Sequence, residues 1–178
     1  IAYEYLKDRE SDRYPVTRAM SEIAGSTSIL IAAEYLSNVN NGKGEMLGGI
    51  SGISPSEVVI VGASTAGEYA ARTALGLGAM VKVFDTSMFR LSQLQVTLGT
   101  RIFTSVLQPR VLQKAMKSAD VVIGALPFND GSHRFLVSEE IDRSMKPDSV
   151  IVDISIDMGG CFETSQVSET FATKSIQN

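Results

Sequence analysis

Val58-Val59-Ile60-Val61-Gly62-Ala63-Ser64-Thr65-Ala66-Gly67 is the stretch on which the fold turns. Its run of β-branched residues reads as a strand, and Gly62 supplies a tight turn. From Glu68 to Leu77 a helix follows, with Ala70, Ala71, Ala74 and Leu75 small enough to lie close to a sheet. Strand, glycine turn and helix in this order open a nucleotide site in parallel sheets. The helix N-terminus there offers unpaired amides and the positive end of its dipole to a phosphate.

Outward from that stretch the alternation continues. Met80 to Asp85 reads as a second strand, Met88 to Leu98 as a helix, and Arg101 to Thr104 as a short strand. Pro109 opens a helix that buries Val111, Leu112, Ala115 and Met116 and ends near Ser118. Asp120 to Leu126 is a fourth strand whose near-continuous apolar character calls for cover on both faces. After the polar loop Pro127 to Arg134, Ser138 caps a helix with Ile141 and Met145 on its inner side. Ser149 to Ile154 is the fifth strand. This alternation predicts a doubly wound, Rossmann-type α/β domain: a mostly parallel sheet, helices on both faces and right-handed crossovers.

Upstream, a long helix is expected from about Arg18 to Asn38. Ala19, Ile23, Ala24, Ile31 and Tyr35 recur at helical spacing, and Ala32, Ala33 and Leu36 widen the face. Ile1 to Tyr14 reads as a short strand leading into an exposed turn, and the glycine-rich Leu47 to Ser56 as a loop reaching the sheet edge. The expected organisation is an N-terminal segment, 1–56, whose helix packs on a nucleotide core, 57–165, with a polar tail, 166–178. The chain opens on Ile1 and reads as part of a longer protein.

Gly62 and Gly67 are the outer glycines of a G-x-G-x-x-G fingerprint whose middle position is Ser64. The first glycine serves the turn and the third brings helix and strand together, while the Ser64 hydroxyl is placed to donate to a phosphate oxygen. Asp85 stands 18 residues beyond Gly67 at a strand end, where an acid accepts the adenosine-ribose hydroxyls. Its charge would repel a 2′-phosphate, which favours NAD over NADP; Arg90, five residues on, partly offsets that charge. Gly124, Ala125 and Leu126 close the fourth strand on the side where a nicotinamide approaches, or are small simply for packing. Asp153 reads as a structural carboxylate, and Asp157 as one presented beside the cofactor by Gly159-Gly160.

Composition removes several classes. Among 178 residues the formal charge is -4 with no basic tract, which argues against a nucleic-acid surface. No apolar run approaches the roughly 18 residues of a membrane span. The single cysteine, Cys161, excludes an intrachain disulfide, suits a reducing cytoplasmic compartment, and has no general base nearby in sequence to make it a nucleophile. The single histidine, His133, lies in a polar loop where a surface role outweighs catalysis, and no metal centre is expected.

With these residues placed, the chain resembles the NAD-binding domain shared by alanine dehydrogenase and the NAD(P) transhydrogenase alpha subunit. The likeness runs through Met20 to Gly25, Val58 to Gly67, Ala74 to Ala79, Ala119 to Ala125 and Met145 to Asp153. It is sharpest in Asp157-Met158-Gly159-Gly160-Cys161-Phe162-Glu163, which leans toward alanine dehydrogenase. The resemblance implies roles. Ser21 lies at the pyrophosphate or nicotinamide, Ser64, Thr65 and Ala66 face phosphates, and Asp85 holds the ribose with Arg90 over the adenine edge. Ala125 and Leu126 line the pocket, and Asp157 orients substrate and nicotinamide. It further implies NAD as cofactor, oxidative deamination of L-alanine to pyruvate, and a homo-oligomer. The substrate's lysine and histidine come from a separate domain that no segment here matches. Two departures stand out: Ser64 in place of the middle glycine, and an altered loop from Pro127 to Phe135. A proton-translocating transhydrogenase and a non-enzymatic dinucleotide-binding module are the alternatives.

Overall fold

The computed structural model describes residues 2–10, 13–126, 137–168 and 173–176. Its centre is a five-stranded sheet: β1 (Glu57–Val61), β2 (Met80–Asp85), β3 (Phe103–Val106), β4 (Val121–Gly124) and β5 (Val150–Asp153). The order is β3-β2-β1-β4-β5 and every pairing is parallel. Consecutive strands run outward in one direction from β1 to β3, then the chain crosses back to β4 on the other side of β1. That reversal leaves a crevice at the C-terminal ends of β1 and β4, where such sheets take their ligands.

The remaining elements are α1 (Pro15–Leu36), α2 (Thr65–Gly76), α3 (Met88–Leu98), α4 (Pro109–Ser118) and the single turn α5 (Glu139–Asp142). Side chains alternate across β1 with the period of a strand. Val58 and Ile60 join Ile29, Leu36, Ala70 and Leu94 beneath α1, α2 and α3. Val59 and Val61 join Leu112, Met116 and Phe162 on the α4 side. Helices therefore cover both faces, as the apolar strands require.

Several expectations shift. Tyr3–Tyr5 is a 3-10 turn rather than a strand, closed by local bonds and tied to α1 by the Thr17 hydroxyl, which donates to the Glu4 carbonyl. The long helix begins earlier, at Pro15, whose missing N–H costs nothing at a first helical position. Its buried face is Gly25, Ser28, Ile29, Ala32 and Leu36, whereas Ala19 is exposed and Ile23 is 60% exposed. Close approach to α2 selects that face: a Cβ at Gly25 would lie 2.2 Å from the Ala66 carbonyl oxygen. β3 sits two residues later than expected because its register is set by β2, with Lys82 opposite Phe103 and Asp85 opposite Val106.

At the N-terminal ends of the strands, away from the crevice, buried Asp120 receives the Lys43 ammonium at 2.7 Å, the Lys146 ammonium at 2.9 Å and the Glu57 amide at 2.8 Å. Burial alone would raise its pKa, but these donors outweigh burial and hold it below the usual carboxylate value. No helix among the described residues is long and apolar enough to cross a membrane.

Candidate functional site

A cleft of about 1080 Å³ opens at the crevice between β1 and β4. Ser21, Ser64, Thr65, Ala66, Arg90, Ala125, Leu126 and Asp157 all line it, which brings together most of the residues singled out in the sequence. Gly62, Gly67 and Asp85 lie behind that wall.

The β1–α2 turn is built by close backbone contact. Gly62 has φ +115°, and a Cβ there would stand 2.1 Å from the Ala125 carbonyl oxygen. A Cβ at Gly67 would stand 2.0 Å from the Gly62 carbonyl oxygen. Ser64 is the N-cap of α2, its hydroxyl oxygen accepting the Gly67 amide at 3.3 Å. The same hydroxyl donates to the Ala125 carbonyl at 2.8 Å, so its proton ties the turn to the end of β4 instead of facing the cleft. Serine at the middle position is thereby accounted for. Thr65 and Ala66, the first two helical residues, have amides with no acceptor inside the helix, and both border the cleft.

Across the opening, Ser21 on α1 donates its hydroxyl to the Thr17 carbonyl at 2.9 Å and keeps its lone pairs available. The Ala125 amide bonds Val61, and the Leu126 amide bonds the Ser155 hydroxyl at 2.8 Å. Gly124 is small for packing: a Cβ there would meet Phe162 at 2.7 Å and Asp153 at 2.8 Å. Ser155, buried and lining the cleft, escaped sequence reasoning, because its role depends on β4 lying beside β5.

Asp85 departs from its expected posture. It is 2% exposed, and its carboxylate accepts the Ala63 amide at 2.7 Å, the Ser87 amide at 2.7 Å and a forked Arg90 guanidinium. Arg90, not Asp85, faces the cleft.

Asp153 organises the segment after β5. Its oxygens accept the Ser155 amide at 3.0 Å, the Cys161 amide at 2.8 Å and the Ser165 hydroxyl at 2.6 Å. This folds the chain back so that Asp157, on the 3-10 turn Ile156–Met158, is exposed at the cleft edge. Gly159 and Gly160 close that turn at φ +104° and +79°, in the region that favours glycine. Cys161 is fully buried; burial first, then the carboxylates of Asp153 and Asp142, pushes its thiol well above its ordinary value, which disfavours the thiolate. His133 and the altered loop around it lie outside the described residues.

Asp142 on α5 is 3% exposed, accepts the Thr164 hydroxyl at 2.7 Å, and leaves Oδ1 without a hydrogen-bond partner among the described residues. Burial raises its carboxyl to about 6, helped by Asp153, Glu139 and Glu163 and opposed by the Thr164 bond. A folded-state pKa above the unfolded one weakens the fold as pH rises through the window from about 4 to 6. Asp142→Asn is expected to stabilise the chain by about 1–2 kcal/mol at pH 7.5, with the gain shrinking toward pH 4.5. Urea denaturation at both pH values checks this, and a gain independent of pH would contradict an ionised, poorly solvated carboxylate.

Comparison with known proteins agrees with this fold. Residues 28–177 match the family described as alanine dehydrogenase/PNT, C-terminal domain. Alanine dehydrogenase from Methanococcus maripaludis is 43% identical over 166 residues, covering 92% of this chain and 44% of that protein. The Mycolicibacterium smegmatis alanine dehydrogenase is 42% identical, covering 93% of this chain and again 44% of the relative. Among solved structures, an L-alanine dehydrogenase superposes with a TM-score of 0.88 at 36% identity, over 98% of this chain and 48% of that one. A transhydrogenase from Sinorhizobium meliloti, with a TM-score of 0.69 at 23% identity over 89% of this chain and 46% of that one, shares the fold. The chain thus spans less than half the length of these relatives.

Proposed function

This chain belongs to the alanine dehydrogenase/PNT C-terminal domain family, and from that membership we propose that it is the NAD-binding domain of an amino-acid dehydrogenase. The observation that carries the reading is the glycine cradle at the cleft. Gly62 and Gly67 let the backbone turn where any Cβ would collide, and the Thr65 and Ala66 amides border the opening. A pyrophosphate laid against the start of α2 meets those amides and the helix dipole. Ala125 and Leu126, held by Val61 and Ser155, then flank the nicotinamide arm, with Ser21 across from them. Asp85 belongs to the ribose end, and Asp157 orients substrate and ring at the rim.

When bound, NAD supplies the hydride acceptor. The chain's own residues bind and orient it: amides for phosphate, small side chains for the ring, and a carboxylate at the mouth to align a substrate amine. In the whole protein we assign the oxidation of L-alanine to pyruvate and ammonia, with substrate-holding groups supplied by the part of the relatives' length that this chain lacks. A homo-oligomer in the cytoplasm completes the reading.

Isothermal titration of the chain tests the premise. NADH is expected to bind saturably, and Asp85→Ala to weaken it, both by removing the ribose acceptor and by leaving the Ala63 and Ser87 amides beside the cleft without theirs. Failure of the intact chain to bind NADH would overturn the reading. For the activity, the complete protein should reduce NAD in the presence of L-alanine, while the chain alone should not.

A further inference from the structure

Resting on the dinucleotide reading, we infer that Arg90 is a specificity-determining residue at the adenosine end, because it occupies the seat that a ribose diol would take on Asp85. A carboxylate offers about four lone-pair sites. On Asp85, Oδ1 accepts the Ser87 amide at 2.7 Å with Arg90 Nη2 at 2.7 Å and Nε at 3.0 Å. Oδ2 accepts the Ala63 amide at 2.7 Å with Arg90 Nε at 3.1 Å. The carboxylate is saturated, and its side chain is 1% exposed.

Of these donors only one can leave. The Ala63 amide belongs to the turn whose glycines are locked against β4 and α2, and the Ser87 amide belongs to the residue that caps α3. Arg90 reaches Asp85 with a side chain that is 34% exposed and lines the cleft. Two ribose hydroxyls can therefore reach Asp85 only in place of the guanidinium fork. While the fork is closed, the cleft meets a cation in front of a neutralised acid rather than a bare carboxylate.

This has opposite consequences for two ligands. A 2′,3′-diol competes with Arg90 for Asp85, so Arg90 opposes NADH. A 2′-phosphate cannot pair with Asp85 at all, yet it is attracted by the guanidinium that shields the acid, so Arg90 favours NADPH. Arg90 thus reduces the discrimination that Asp85 alone would impose.

Titrating NADH and NADPH separately into the full chain, into Arg90→Met and into Arg90→Lys tests the assignment. Arg90→Met is expected to bind NADH about twofold to fivefold more tightly, the scale of a partly exposed ion pair, and NADPH more weakly by a similar factor. Arg90→Lys, which keeps the charge but loses the fork, should fall between wild type and Arg90→Met for both ligands. It also keeps the test valid if the methionine variant folds poorly, which thermal melting would reveal. Shifts in the same direction for both ligands, or no shift, would overturn the assignment while leaving the dinucleotide reading in place. A wild-type chain that binds neither ligand would overturn both.

Discussion

Gly62→Ala is expected to prevent the chain from reaching a stable native state. At φ +115° any residue with a Cβ is strained, at a cost of about 1–3 kcal/mol. The added carbon would also lie 2.1 Å from the Ala125 carbonyl oxygen and 2.5 Å from its carbon, and neither can swing aside as a side-chain tip might. Relieving that overlap means separating β1 from β4, which breaks the Ala125 to Val61 bond and the Ser64 clamp with it. Overpacking of this kind adds about 1–3 kcal/mol or more. Together these approach the total stability of an ordinary domain, roughly 5–15 kcal/mol. Thermal melting by circular dichroism checks the result. Gly76→Ala is the control: a Cβ at Gly76, within α2, meets nothing within 4 Å, and the change should leave the melting temperature equal or higher. Equal melting of wild type and Gly62→Ala would contradict the close-contact account of the turn.

Asp153→Ala is expected to have the next largest effect, and on two properties at once. Its removal leaves the Ser155 and Cys161 amides without the acceptor they share and frees the Ser165 hydroxyl. At about 1–3 kcal/mol for each buried donor left unsatisfied, the fold should lose on the order of 3 kcal/mol. The segment released carries Ser155, which holds the Leu126 amide, and Asp157 at the cleft rim. NADH affinity should therefore fall together with stability, as read by urea denaturation and titration. Asp157→Asn provides the contrast. That residue is exposed on its turn, so its substitution should leave the denaturation midpoint in place while impairing turnover in the complete protein. An Asp153→Ala chain that binds NADH like wild type would remove Asp153 from its organising role.

What was legible in the sequence follows from how local each cause is. The β-branched run, Gly62 and the alanine-rich helix act on neighbours a few residues away, and the strand–turn–helix unit falls where the sequence puts it, except that α2 starts at Thr65, three residues ahead of the expected Glu68. The α1 face was not legible in the same way. That helix carries apolar residues almost all round, and the choice of Gly25 and Ile29 over Ala19 and Ile23 is made by the nearness of Ala66. β3 slipped by two residues for a similar reason, since register belongs to the pair of strands and not to either alone. The position of Asp85 was legible from spacing, but its burial under Arg90 was not, because an arginine five residues away can point outward as easily as inward. Ser64 shows the same divide. Its capping of Gly67 is local, while its bond to Ala125 spans 61 residues and exists only once β4 lies beside β1. Asp142 gave no signal, because its cost arises from burial and from the carboxylates gathered around it by the tertiary fold, with the Thr164 bond only partly offsetting them.

The approach of Gly25 to Ala66 has a meaning for how such a domain can be inherited. The carbonyl that limits position 25 belongs to the second residue of α2, so the helix preceding the sheet and the start of α2 have no room between them for a side chain at that point. A recombination event that exchanged only the alternating strands and helices, leaving α1 behind, would transplant a cleft with one wall missing. The helix ahead of the sheet therefore packs as one unit with α2, and its outer side at Met20 and Ile23, both exposed, has room for a change of side chain that its one glycine does not.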